Sequence, residues 1–337
     1  MPAGEAGYAV GMTTPSPRGT LSQALLAALR TGGASAREAL TDLRPDGPGD
    51  EQLALWVLYA LHYRDLDGVP AELEWDPDLL RVRRHLEVAL EQRLRDRFPG
   101  HRPDPGVAFG DALFGYVDDH DGPALTPYVQ QRADADQVRE LLRHRSLYHL
   151  QEFDPTSWVI PRLPLVPKAA LMELAFDEYG LGDPRRLHSH LFARGMAASG
   201  LSPVPGHYVD DAPLEILEQN NAMSLFGLHR RLRGAAVGHL AAFEATSSVP
   251  SRRLVLGLQR LRFDPVLVDY YTEHVTADAV HDQLACRGIC AALVAEEPAL
   301  VEDMFFGAFT CLDLEARYAA RMLGAWETEA AVEAVGA

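Results

Sequence analysis

Residues Glu273–Ala285 read EHVTADAVHDQLA, which sets His274, Asp278 and His281 among small apolar neighbours. A histidine, an acid four residues on and a second histidine three beyond it is a helical spacing. At ~100° per residue the three side chains fall within roughly 60° of arc. Ala277, Val280, Leu284 and Ala285 give them apolar surroundings. Three metal-ligand residue types on one buried stripe need either a metal ion or a hydrogen-bond network. Composition alone predicts about 0.07 copies of this spacing with either acid in the middle. The match is uncommon without being decisive, so the weight falls on acids elsewhere.

The helical period continues along nearly the whole chain, and no stretch alternates convincingly with period two. Helices are expected over Asp50–Tyr63, Asp76–Phe98, Ala133–Phe153, Val166–Tyr179, Pro184–Ser199 and Ala212–Thr246. Two more are expected over Pro265–Glu296, broken near Gly288, and Pro298–Trp326. Proline and glycine around Pro99–Gly106 mark a break, and WVIPRLPLVP (Trp158–Pro167) is a proline-rich connection. The expected fold is all-α, a helical bundle, and bundles build metal sites from inward side chains on facing helices. Residues 1–20, rich in Gly, Pro, Ser and Thr, are expected to be a disordered tail. Residues 21–104 are expected to form helices packed on the bundle or at a dimer interface, 105–327 the core, and 328–337 a flexible tail. Leu53, Leu55, Trp56, Leu58, Tyr59 and Leu61 leave few polar faces on the first long helix, which is why burial or a homodimer surface is expected there.

The chain of 337 residues suits one large or two modest domains, and 47% hydrophobic against 23% charged residues is a soluble, globular balance. Its net charge of −17, from 31 basic and 48 acidic residues, repels phosphate backbones and argues against nucleic acid as a partner. No apolar run approaches the ~18 residues of a membrane span, and the first residues lack the pattern of a secretory signal. Cys286, Cys290 and Cys311 are too few and too unevenly spaced for a disulfide framework or a cysteine-rich zinc site. A cytoplasmic, reducing setting is expected.

Two other acids sit on apolar stripes. Glu244 follows Val237, Leu240 and Ala241 at seven, four and three residues, so it continues a buried helix face. Unpaired there, its carboxylate would be costly or protonated; either a cation or one of Arg230, Arg231 and Arg233 has to answer it. Glu178 follows Leu171, Leu174 and Ala175 in the same way, while Asp177 aligns with Glu173 on the side read as wet. His188 shares a face with Leu191 and Phe192 in PRRLHSHLFARGM. Ferritin-like diiron bundles carry two Glu-x-x-His motifs. Here the one acid three residues before a histidine is Asp278, before His281.

These stretches, LMELAFDEYGLGDPRRLHSHLF, FGLHRRLRGAAVGHLAAFEATSSVP and EHVTADAVHDQLA, resemble the heme-oxygenase-like diiron oxidases, the iron-containing redox enzymes. Their order and spacing match that family from about Glu51 to Trp326. The resemblance implies iron ligands at Glu178, His188, Glu244, His274, Asp278 and His281. It implies a further, mobile carboxylate at Glu152, in SLYHLQEFDP. Two Fe(II)/Fe(III) ions with open positions suit O2 as co-substrate, with a peroxo-bridged diferric state and an external electron donor, a reductase or ferredoxin.

The expected reaction is N-oxygenation of an amine of an amino-acid-like small molecule in specialised biosynthesis. Oxidative C–C cleavage or desaturation of a small amino or fatty acid is the alternative enzyme reading. A non-redox binding protein on the same scaffold is the alternative of another class. A mononuclear iron held by His274, Asp278 and His281 also stays open; a heme is opposed by the buried carboxylates. An amino-acid substrate calls for an arginine on its carboxylate, and Arg162, Arg231 and Arg233 are the candidates, weighed against ordinary solvated helix-face arginines.

Overall fold

The computed structural model describes residues 11–31 and 33–336, with the backbone alone described at 31, 276–280 and 329–336. Its helices of eleven residues or more are α1 (Thr20–Thr31), α2 (Pro48–Ala60), α3 (Pro77–Arg97), α4 (Ala135–His149), α5 (Leu165–Glu178), α6 (His188–Ala198), α7 (Leu214–Leu228), α8 (Arg233–Arg260), α9 (Pro265–Gln283) and α10 (Val301–Gly336). The fold is all-α, as the period predicts. The strands among the described residues are two-residue pieces, Gly11–Met12 pairing in parallel with Asp65–Leu66.

α8 is the axis of the bundle, packed against α7, α9 and α10. α8 and α10 cross backbone to backbone. A Cβ added to Gly307 would lie 1.9 Å from the Ala235 carbonyl oxygen, and one on Gly238 2.1 Å from that of Met304. Glycine removes the side chain that would hold the axes apart. α9 lies along the other flank of α8 and carries α6 on its far side.

α2 has no wet face: Gln52 through Ala60 are all buried, the pattern of a helix enclosed on every side. It packs against α1, α3 and α7. Asn221 on α7 donates to both Gln52 oxygens at 2.9 Å. Glu87 on α3, 1% exposed, meets the Tyr59 hydroxyl at 3.1 Å, Arg83 at 3.1 Å and His229 at 3.0 Å. That cluster ties α2 and α3 to the turn leading into α8.

Several boundaries differ from the sequence reading. Of the expected tail at 1–20, residues 1–10 lie outside the described residues, while 11–20 are attached to the fold. Met12 is 2% exposed, and Arg18 donates to the carbonyls of Val209, Asp210 and Ala212, so this segment is anchored by backbone acceptors that composition does not reveal. The helix expected over Ala212–Thr246 is two, parted by a 3-10 turn at Arg230–Leu232. The break expected near Gly288 is a π turn, Leu284–Ala291, an i→i+5 widening that keeps the helix going. The last helix runs on to Gly336, past Trp326 and into the residues read as a tail. No helix among the described residues is long and apolar enough to cross a membrane.

Gly307→Ala is expected to cost about 2 kcal/mol or more, by forcing a methyl into a carbonyl of the facing helix. Gly324→Ala, on the same helix with nothing within 4 Å of its added Cβ, should leave stability unchanged or raise it by up to ~1 kcal/mol. Urea denaturation of both variants checks the pair; equal effects would mean that the crossing is not tight.

Candidate metal centre

Three local devices turn side chains inward. α5 ends on Glu178, and the chain doubles back through 3-10 turns at Gly180–Gly182 and Pro184–Arg186 to start α6 at His188. Gly180, at φ +75°, makes this possible, since a Cβ there would sit 2.6 Å from the Leu187 nitrogen. α4 opens on a capping box between Asp134 and Gln137 and stops at His149, four residues short of the expected end. Phe153 then takes a left-handed conformation, φ 71°, and Glu152 sits in the resulting turn. Glu244 lies midway along α8, and His274 and His281 lie two turns apart on α9.

Glu152, His188 and His274 form one group whose ligating atoms lie within 4.8 Å of one another; Glu178, Glu244 and His281 form a second. All six residues are between 3% and 6% exposed. The groups adjoin, because Nδ1 of His188 is 2.9 Å from Glu178 Oε2. Nδ1 of His281 is 3.5 Å from both Glu178 Oε1 and Glu244 Oε2. Nε2 of His274 is 3.7 Å from Glu152 Oε1.

The imidazoles are aimed from behind. His274 Nδ1 lies 2.8 Å from the Tyr270 carbonyl oxygen, an acceptor that demands the proton there and leaves Nε2 turned to Glu152. His281 Nε2 is 2.8 Å from Asp177 Oδ2, so Nδ1 is the nitrogen turned to Glu178 and Glu244. This is the arrangement by which oxygen acceptors fix the tautomer of metal-binding histidines. Glu152 is held too: the Tyr270 hydroxyl donates to Oε2 at 3.0 Å, and His149 Nδ1 lies 3.0 Å from Oε1 and 2.9 Å from the Tyr270 oxygen.

Charge explains why these groups stay together. Burial opposes ionisation of Glu152, yet His149 and His274 beside it pull its pKa well below the usual carboxylate range. Burial likewise opposes a proton on His281, but Glu244, Glu178 and Asp177 outweigh it and raise its pKa to about 9. His188 is raised by Glu178 against the same burial penalty. Three buried carboxylates facing imidazole nitrogens are a nitrogen and oxygen donor set that suits iron and asks for cations. The residues therefore fit the metal.

Of the residues singled out in the sequence, the fold gathers Glu152, Glu178, His188, Glu244, His274 and His281. The Asp278 side chain lies outside the described residues. His274 and His281 fall in different groups, which runs against one ion held by both. The three arginines have other partners. Arg162 donates to the Gly227 carbonyl at 2.5 Å, Arg231 grips Glu91 with two nitrogens, and Arg233 pairs with Glu297. None of them lines the small cavity beside the carboxylates. That cavity, walled by Tyr148, Phe153, Phe243 and Ser247, leaves about 10 Å³, room for roughly one water.

Asp177 corrects the reading of a wet face. Its side chain is 32% exposed and still reaches His281. Consecutive carboxylates point ~100° apart on a helix, and an imidazole with nitrogens on two sides can meet both. His149 and Tyr270 went unnoticed as well, since each acts on Glu152 from its own helix. An aromatic four residues before His274 is the one trace in the sequence.

Asp177→Ala is expected to weaken Fe(II) binding by about 10- to 100-fold, while costing the metal-free protein about 1 kcal/mol or less, as for a half-exposed pair. Unchanged affinity would remove its orienting role. Iron must also displace the His281 proton. Below pH about 9 that proton competes, so affinity should rise up to about tenfold per pH unit from about pH 6.5 to 8, with proton release. Anaerobic Fe(II) calorimetry in two buffers of different ionisation enthalpy reads both quantities.

A sequence model of the iron-containing redox enzyme family matches residues 139–316, just over half of the chain and the span that holds all six clustered residues. No curated protein matches the chain. With its helical fold and a buried carboxylate–histidine cluster inside the matched region, the chain belongs to the family of iron-containing redox enzymes.

Proposed function

We propose that this iron oxidoreductase is a non-heme diiron oxygenase that N-oxygenates an amine of an amino-acid-like substrate in specialised metabolism. The observation that carries the reading is the pair of adjoining buried groups, each with a carboxylate and a histidine, joined through Glu178 and His188. One ion per group accounts for all six of these buried donors. Iron held there supplies the redox chemistry for O2, with an external donor such as a reductase or ferredoxin replenishing electrons. The reaction balances as amine, O2, two electrons and two protons giving hydroxylamine and water.

The chain's own residues have separable parts in this. Glu152, His188 and His274 hold one ion, and Glu178, Glu244 and His281 the other. His149 and Tyr270 hold Glu152 in register, and Asp177 orients His281. Tyr148, Phe153 and Phe243 keep bulk water from the carboxylates, so charges there act in a medium less screening than water.

Anaerobic titration of metal-free protein with Fe(II) should reach two irons per chain, and His188→Ala should leave one. Mixing with O2 and an amine should then give a product that retains every carbon. One iron per wild-type chain would sink the two-ion reading; release of CO2, formaldehyde or an alkene would replace N-oxygenation by C–C cleavage.

A further inference from the structure

α5 is apolar on two sides. Pro167, Leu171, Leu174 and Ala175, with Glu178, form its buried face. Leu165, Ala169, Met172 and Phe176 are all exposed; the three large ones keep 82%, 47% and 55% of their surface. Val166, 57% exposed, and Leu181, 44% exposed, extend the apolar surface. The turn that holds Leu181 lies beside the stripe, since a Cβ on Gly182 would sit 3.9 Å from Phe176 Cε2. Between two-fifths and four-fifths of five large apolar side chains is on the order of 500 Å², the size of patch that marks a binding surface.

The outward residues are spaced by four, three and four. At ~100° per residue they fall within roughly 60° of arc. This is the seam pattern of a coiled coil, carried over the whole length of α5. α2, the apolar helix that suggested a subunit surface, is instead enclosed within the chain.

Charges on the two flanks of the stripe select what covers it. Lys168, the one lysine of the chain, and Glu173 lie on opposite flanks, each ~70° from the middle. Among the described residues neither makes an ion pair. Consider two copies related by a two-fold axis, the commonest symmetry of homo-oligomers. If the helices run parallel, the axis runs along them and the lysine flank of each copy meets the glutamate flank of the other. Lys168 then faces Glu173 of the second copy, five residues further on, and the pair occurs twice. If the helices run antiparallel, the axis crosses them and each flank meets itself, lysine beside lysine and glutamate beside glutamate. Flanking charges of this kind set the orientation of paired helices.

We propose that the outward face of α5 binds a second copy of this chain in a parallel two-fold dimer. Leu165, Ala169, Met172 and Phe176 form its seam, and Lys168–Glu173 pairs close it on both sides. The dimer is independent of the diiron oxygenase reading. Two such faces cover about 1,000 Å², the lower bound of a specific interface, so dissociation in the micromolar range is expected.

Sedimentation equilibrium of the full chain should show monomer and dimer in exchange; a pure monomer at ~100 µM overturns the proposal without recourse to any variant. Met172→Glu sets two carboxylates in the seam and should weaken the dimer by at least about hundredfold. The position is half exposed in the single chain, so an unchanged melting temperature at monomeric concentrations checks that the variant folds. A dimer that survives Met172→Glu is built on another surface, which also overturns the proposal. Lys168→Glu and Glu173→Lys should each weaken association by about fivefold or more, and the chain with both changes should recover it. An antiparallel dimer would be indifferent to all three, because each flank would still meet its own kind; that result would overturn the parallel arrangement.

A carbodiimide joins an amine to a carboxylate in contact with it. In an equal mixture of light and heavy-isotope chains it should link Lys168 to Glu173 in peptide pairs that carry one label of each kind. Lysine links found within single chains alone would place Lys168 against its own surface and sink the pairing.

Discussion

Glu152, Glu178 and Glu244 are 5–6% exposed and face three imidazoles, Glu152 with His188 and His274, Glu178 and Glu244 with His281. A buried anion is among the most expensive things a fold can contain. Three together are tolerable only where cations or oriented donors face each of them. The surroundings meet that demand from fixed directions: a backbone carbonyl behind His274, Asp177 behind His281, and Tyr270 with His149 behind Glu152. Each support sits on a helix or at its end, so the site is only as well placed as the helices are.

That dependence explains features which are otherwise costly. The α8–α10 crossing gives up side chains at Gly238 and Gly307 to bring two backbones together, which seats Glu244 deep in the bundle. The turn at Gly180 is compressed so that the last residue of α5 meets the first residue of α6. Phe153 accepts a left-handed backbone at the point where the chain must pass Glu152 inward and leave again. Strain of this kind persists where the surrounding packing over-determines it.

The sequence carried the parts of this that repeat with the helix. Apolar stripes placed Glu178, Glu244 and His188 on buried faces, and the i, i+7 spacing put His274 and His281 on one side of α9. Glu152 was legible as a residue though not as a conformation, since helical pattern runs through it while the helix ends at His149. Asp177, His149 and Tyr270 were illegible because their roles arise between elements. A half-exposed acid at a helix end and a core tyrosine look the same in sequence whether or not an imidazole waits opposite. The arginines show the converse. Arg231 and Arg233 looked available on a helix and are taken by Glu91 and Glu297, which are distant in sequence.

The matched family region and the remainder of the chain divide the labour. Residues 139–316 contain all six carboxylate and imidazole residues of the two metal-ligand groups. A cavity of about 570 Å³, Asp154 apart, is built from residues 61–74, which lie outside that region. They follow α2, the helix buried on all sides, and Arg64 donates from there to the Leu150 carbonyl at the end of α4. The segment that follows these N-terminal helices thus reaches a carbonyl two residues from Glu152. Attachment of this segment matters, because the turn that carries Glu152 has to be held as firmly as the helices that carry the other clustered residues. Here Glu87, Asn221 and Arg64 provide that attachment through contacts between this segment, the helices before and after it and the core.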